Sequence, residues 1–198
     1  GVNITETDAN QTISFSVNLS VEVDRVLTFD YYSVAGNATA DVDYSEISGT
    51  FTVPAGDFNA VLTVNITGDI IDEDTEVFYV ILSDGNFSDT ASINITDNNA
   101  TGIIEDNDTL EVTITGVNMT ETDANQSMSF SVNLSLPSDR VITIDYYSVA
   151  GNATADVDYS EISGTFTVAA GITEAVLTVN MTGDNIDEDT EEFYIILS

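Results

Sequence analysis

Hydrophobic and polar residues alternate along most of this chain. In 12–19, Ile13, Phe15, Val17 and Leu19 fall on one parity, and Ser14, Ser16 and Asn18 on the other. In 60–66, Leu62, Val64 and Ile66 alternate with Thr63 and Asn65. In 92–96, Ile93 and Ile95 alternate with Ser92, Asn94 and Thr96. A period of two marks a strand with one buried face. Further strands are predicted near 25–34, 50–53, 77–83 and 101–104. No segment sustains the 3.6-residue period of a helix. Gly, Asn and Asp between the runs supply turns. Many short strands separated this way predict an all-β fold of tandem antiparallel seven-strand β-sandwiches, Ig-like in kind.

The pattern occurs twice. Residues 1–83 match 116–198 at 67 of 83 positions, at an offset of 115, and Tyr31 to Val53 is identical to Tyr146 to Val168. Two copies give two domains, 1–108 and 109–198. The first lacks a counterpart of Leu110-Glu-Val-Thr-Ile-Thr, so its first strand is truncated. The second lacks a counterpart of 84–115, so its last strand is missing or comes from a neighbour. This reads as a slice of a longer array, or as a chain completed by strand donation from copies of itself. Unpaired edges invite such pairing.

Composition narrows the partners. Thirty-five acids against two bases, Arg25 and Arg140, give a net charge of −33. Phosphate neutralisation is out of reach, which excludes nucleic-acid binding by the usual route. No apolar run is long enough for membrane insertion. A hydrophobic fraction of 42% argues for a folded core rather than disorder. The charge needs an offset, by bound divalent cations or by ambient salt. There is no Cys and no His, which removes thiol chemistry, the commonest general base and the commonest transition-metal ligand.

Fourteen of the 17 Asn stand in Asn-x-Ser/Thr: Asn3, Asn10, Asn18, Asn37, Asn65, Asn86, Asn94, Asn99, Asn107, Asn118, Asn125, Asn133, Asn152 and Asn180. Chance would place far fewer. Asn18, Asn65 and Asn94 lie on the polar parity of their strands, where a glycan meets solvent. The pattern points to dense N-glycosylation of an extracellular, cell-surface protein.

The acids gather in turns, at Thr5–Asp8, Ala40–Tyr44, Gly68–Glu76 and Ile104–Asp108. Strand faces carry Ser, Thr and Asn instead, which an even halophilic coat would not do. Ca²⁺ takes about 6–8 oxygen ligands, more than one turn supplies, so several turns must converge to hold it. Such carboxylates repel one another without the ion, which couples metal binding to folding.

With these turns the chain resembles the Calx-beta domain family. The carrying segments are Ile13 to Ser20, Tyr32 to Tyr44, Ser48 to Gly56, Asp72 to Ser83 and Gly102 to Asp108. The resemblance implies a seven-strand sandwich whose calcium-binding members place carboxylates in loops at one end. Carried over by position, it implies Glu6, Asp43, Asp69, Glu73, Glu105, Asp106 and Asn107 as ligands in the first copy. In the second it implies Glu121, Asp158, Asp184 and Glu188. Two departures stand out: Gly68 occupies a place where the family often has Asp, and Asn107 closes the acidic triplet.

Paired acids such as Asp72 and Asp74 do not read as a glycoside-hydrolase pair, because the turn recurs intact in both copies. Catalytic machinery is seldom duplicated so faithfully, and the chain reads as no enzyme. The expected function is a calcium-stabilised, N-glycosylated repeat of an extracellular filament, stalk or surface layer, assembling head to tail as a homopolymer. The alternative is the stalk of a calcium-dependent adhesin that projects a distant binding domain. Tyr31, Tyr32, Tyr146 and Tyr147 read as sheet packing rather than a carbohydrate platform.

Overall fold

A computed structural model describes residues 1–87 and 93–198, with the side chains of 86 and 87 excepted. Every described element is a strand, and no described helix is long and apolar enough to cross a membrane. The chain divides into two compact units. One comprises Gly1–Ile70 and Asp74–Asp108; the other comprises Ile71–Glu73 and Thr109–Ser198.

The first unit holds β1 (Val2–Thr5), β2 (Gln11–Asn18), β3 (Leu27–Ala35), β4 (Ser48–Val53), β5 (Asn59–Ile66), β6 (Glu76–Phe87) and β7 (Asn99–Glu105). They form a five-stranded sheet in the order β1-β7-β6-β3-β4 and a two-stranded sheet β2-β5. The alternation in the sequence is what lets these sheets face each other. Ile13 and Phe15 of β2 and Leu62, Val64 and Ile66 of β5 meet Phe78 and Val80 of β6 and Ile104 of β7, all buried. Each such side chain contributes about 1.5–3 kcal/mol on burial. Leu27, Phe29 and Val53 form a second cluster in the same unit.

The second unit holds β8 (Val112–Ile114), β9 (Gln126–Leu134), β10 (Ile142–Ala150), β11 (Ser163–Val168), β12 (Glu174–Met181) and β13 (Phe193–Leu197). Its sheets run β11-β10-β13 and β12-β9-β8. Met128, Phe130, Leu177 and Val179 repeat the first core at the 115-residue offset. Val132, Leu134, Ile144 and Val168 form a second cluster.

Two expectations need correction. The pairing is not wholly antiparallel: β1 runs parallel to β7, Val2 against Gly102 through Thr5 against Glu105. The 92–96 segment is not a strand over its described part, 93–96, and Ser92 lies outside the described residues. Ile93 and Ile95 still pack against the Leu27–Phe29–Val53 cluster. Alternation there accompanies burial outside any described strand.

Candidate metal centre

Three local devices aim the acids. The first is the Ala40–Tyr44 turn. Asp41 adopts φ of 63°, in the left-handed region that Asp tolerates better than most residues. Its Oδ1 accepts from Glu46 N–H at 3.1 Å. Asp43 Oδ2 accepts from Thr39 N–H at 2.5 Å, and Asp43 carbonyl accepts from Thr67 N–H at 2.9 Å. The turn is thus tied to itself and to the end of β5. The second copy repeats it: Asp156 has φ of 61°, and Asp158 Oδ2 accepts from Thr154 N–H at 2.6 Å.

The second device is Gly68. A Cβ there would lie 2.0 Å from Thr7 O, so only glycine permits the approach of this loop to the turn after β1. Gly68 N–H donates to Asn10 Oδ1 at 3.1 Å, and Asp69 N–H donates to Glu6 Oε1 at 3.2 Å. Gly183 repeats the device, with a Cβ position 2.2 Å from Thr122 O and Asp184 N–H on Glu121 Oε1 at 3.2 Å. The glycine that departs from the family pattern therefore sets Glu6 beside Asp69 and Glu121 beside Asp184.

The third device is an aromatic stack. Tyr44 lies on Phe78 with ring centroids 4.3 Å apart, and Tyr159 on Phe193 at 4.2 Å. Tyr44 follows Asp43, and Phe78 lies two residues after Glu76 on the same strand parity. The stack holds the Asp turn against the mouth of β6.

These devices bring carboxylates together. In the second unit, Glu121, Asp184 and Glu188 each offer an oxygen within 4.8 Å of the others, and so do Asp158, Glu188 and Glu191. Glu188 belongs to both groups and joins them. In the first unit, Asp43 and Glu76 offer oxygens within the same 4.8 Å. Glu73, the counterpart of Glu188, is half-buried in the Ile71–Glu73 segment of the second unit. Glu76 and Glu191 were missing from the sequence reading. Strand parity could have found them, since each stands two residues before an inward aromatic.

The electrostatics of the groups agree. Glu6 is 5% exposed, and burial raises its pKa above the ordinary value, opposed by the Asp69 N–H bond and reinforced by the charges of Asp69, Asp106 and Asp43. Glu188 is raised by desolvation, then by Asp184, Asp158 and Glu121. Glu191 is raised by desolvation, then by Asp158 and by its neighbours Glu188 and Glu121. Glu121 is exposed where Glu6 is buried. Glu6 N–H donates to Glu105 O of β7 at 2.8 Å. Glu6, Asp43 and Asp69 offer carboxylate oxygens, hard donors of the kind that suits Ca²⁺.

Glu105 has the outward parity of β7, opposite to buried Ile104, and its Oε1 accepts from Asn3 Nδ2 at 3.2 Å. Asn107 is exposed. Asp106 acts on Glu6 through its charge, and its Oδ1 accepts from Asp108 N–H at 3.0 Å.

The sequon Asn are mostly exposed, including Asn18, Asn65, Asn94 and Asn180, while Asn133 is half-buried and the side chain of Asn86 lies outside the described residues. Asn37 and Asn152 use both ends of the amide. Asn37 Nδ2 donates to Thr75 O at 3.2 Å and its Oδ1 accepts from Val77 N–H at 2.8 Å; Asn152 does the same with Thr190 and Glu192. These two Asn tie the loop before β6 and β13 whatever else they carry. Tyr31 packs on the core beside Phe51, whereas Tyr32 is 44% exposed.

No curated protein matches this chain. Among solved structures, the tandem domains CBD12 of CALX1.2 align over 99% of this chain and 76% of that one, with 18% identity and a TM-score of 0.46. The calcium binding domain CBD12 of CALX1.1 aligns over 99% and 77%, again with 18% identity and a TM-score of 0.46. The apo form of the Calx CBD1 domain covers 52% of this chain and 91% of its own, with 22% identity and a TM-score of 0.40. The profile of the Calx-beta domain matches residues 2–108 and 104–198, nearly the whole length twice. The chain belongs to the Calx-beta domain family, as two copies in tandem.

Proposed function

We propose that this chain is a non-catalytic, calcium-binding structural repeat of an extracellular filament, stalk or surface layer, N-glycosylated and assembling head to tail. One observation carries the calcium reading. The same backbone devices converge the same acids twice, 115 residues apart, although like charges so placed destabilise the fold on their own. Glu6, Asp43, Asp69 and Asp106 would hold the ion in the first unit, with Glu76 at the mouth of β6. Asp158, Asp184, Glu188 and Glu191 would hold it in the second, with Glu121 beside them. A bound cation would supply the positive charge that lets these groups stay ionised together.

Two features support the extracellular reading: the sequons and the exposure of most of their side chains. A glycan on Asn18, Asn65, Asn94 or Asn180 would project from a polar face without disturbing either core. Near-identical copies favour repeated, uniform contacts, as a filament needs.

Calorimetric titration of the full chain with Ca²⁺ tests the site. Binding heat is expected, together with a rise in melting temperature on saturation. Asp184→Asn with Glu188→Gln is expected to weaken binding by about tenfold or more, tenfold being about 1.4 kcal/mol, since both remove charged oxygens from the ion. No heat and no thermal shift in millimolar Ca²⁺ would remove the calcium reading. Mass spectrometry of the chain from its native source, before and after enzymatic deglycosylation, tests the sequons; unmodified Asn throughout would remove the glycoprotein reading.

A further inference from the structure

The five-stranded sheet of the first unit has an outer face that is apolar in its middle. On β3, Leu27, Phe29 and Ser33 are buried, while Tyr32 and Val34, on the other parity, are 44% and 40% exposed. On β6, Phe78 and Val80 are buried, and Tyr79 and Ile81 take the opposite parity. The register joins the two strands, with Tyr32 opposite Ile81 and Val34 opposite Tyr79. The second unit keeps the outward pair on β10, where Tyr147 and Val149 are exposed. These side chains fill neither core. An exposed apolar stripe of this kind marks a contact surface.

The adjoining strand supplies what covers it. On β7, Asn99 pairs with Ile81, and Thr101 pairs with Tyr79. Ala100 packs on the core, so Asn99 and Thr101 share the outer parity, and Asn99 is exposed. Asn99-Ala100-Thr101 is a sequon. Side chains directly opposite on such a pair have Cβ atoms about 4.5–5.5 Å apart, and diagonal neighbours lie about 7–8 Å apart. A sugar on Asn99 Nδ2 therefore starts beside Ile81, with Tyr79 on the diagonal and Tyr32 one strand further on. The far side of the stripe is polar. Ser48 of β4 lies opposite Tyr32, and Asp30 Oδ1 accepts from the Thr50 hydroxyl at 2.5 Å.

We propose that the first sugar rings of an N-glycan on Asn99 lie on the Tyr32–Ile81–Tyr79 stripe and cover it. The inference rests on the N-glycosylation proposed above and gives one glycan its seat. A pyranose ring has a C–H face that is apolar and weakly positive, which suits the negative face of an aromatic ring. Its hydroxyls lie at the rim, where Ser48 and the Asp30–Thr50 pair can meet them. Charge disfavours the other candidate, a second copy of this chain. Another copy would bring 33 more net negative charges to the same face, and these repel; a neutral sugar brings none. The tether adds to this. A group attached beside its seat meets it at an effective concentration on the order of millimolar, so a contact too weak to hold a free sugar suffices.

The full chain, secreted from a host that N-glycosylates, tests this, with site occupancy read by mass spectrometry. Asn65→Gln is the matched control, because Asn65 stands on the outer face of the other sheet, opposite Thr12. Asn99→Gln is expected to lower the melting temperature by a few degrees more than Asn65→Gln does. In a Tyr32→Ser background that difference should vanish, and in Tyr32→Phe it should persist. Proton resonances of the first sugar on Asn99 should be shifted upfield by the aromatic rings, and Tyr32→Ser should reduce the shift. An occupied Asn99 with no ring-induced shift and no excess loss of stability overturns the seat and leaves the glycoprotein reading standing. So does an empty Asn99 beside occupied sequons elsewhere. If no sequon is occupied, both fall. If sedimentation shows the glycosylated chain associating, and Tyr32→Ser abolishes that, the stripe binds a second copy and the proposal is wrong.

Discussion

Glu6 holds a carboxylate at 5% exposure among Asp43, Asp69 and Asp106. Its pKa is raised in the folded protein, so near its ordinary pKa and above, the fold binds more protons than the unfolded chain does. The linkage sign follows: without metal, Glu6 contributes stability below its unfolded pKa and loses it as pH rises through the folded value. Glu188 and Glu191 shift in the same direction. The metal-free protein is therefore expected to melt at a higher temperature when pH falls from 7 toward 5. With saturating Ca²⁺ the trend should reverse, because protons compete for the same oxygens. Scanning calorimetry in EGTA and in Ca²⁺ checks both signs. Equal slopes in the two buffers would mean that these groups do not share an ion.

Gly68 makes a separate prediction at the same scale. Gly68→Ala puts a methyl carbon 2.0 Å from Thr7 O, a backbone atom that cannot swing aside. Overpacking of this kind costs about 1–3 kcal/mol, and the first unit should melt several degrees lower. Gly56 has no heavy atom within 4 Å of its Cβ position, but its φ of 92° adds strain for any side chain. Gly116 has open space and no such φ, so Gly116→Ala is the matched control and should change little.

Among the elements, Tyr44 on Phe78 and Tyr159 on Phe193 do more than fill the core. Each stack fixes an Asp turn over the first residues of the strand that bears the next acid. Tyr44→Ala removes a side chain that is 1% exposed and leaves a cavity, costing about 3–5 kcal/mol by comparison with other large-to-small changes. Tyr44→Phe keeps the stack and should keep most of the stability. Calcium affinity should follow the same order, nearly intact in Tyr44→Phe and lost with the fold in Tyr44→Ala. The strands themselves were legible because parity reports burial directly: Ile13, Phe15, Leu62 and Val64 lie where alternation puts them. The parallel β1–β7 pair was not, since Asn3 and Ile4 carry no mark of which strand they meet. Glu76 was missed because it reads as one more acid in a run, and only its parity with Phe78 sets it apart. Gly68 looked like a missing ligand, because a close approach between loops distant in sequence leaves no local sign. Glu105 has the parity opposite to buried Ile104, which the acidic triplet alone does not show.

For the molecule as a whole, the deciding quantity is the net charge of −33. Spread over two small sandwiches, that charge opposes compaction, and two forces can counter it. Salt screens it without regard to place, shortening the Debye length from about 10 Å at 0.1 M to about 3 Å at 1 M. A bound divalent ion acts only where the acids converge, and it adds about 2.7 kcal/mol of stability at a hundredfold excess over its dissociation constant. The two can be separated. In EGTA, raising sodium chloride from 0.1 to 1 M should raise the melting temperature by several degrees, as self-repulsion falls. In saturating Ca²⁺ the same increase in salt should raise it less, because the closest like charges are already neutralised. Potassium chloride should behave as sodium chloride does in EGTA, while millimolar Ca²⁺ should exceed molar salt of either kind. If Ca²⁺ does no more than an equal ionic strength of monovalent salt, the acids form a screened coat, and the converging turns at Asp43 and Asp158 serve the fold alone.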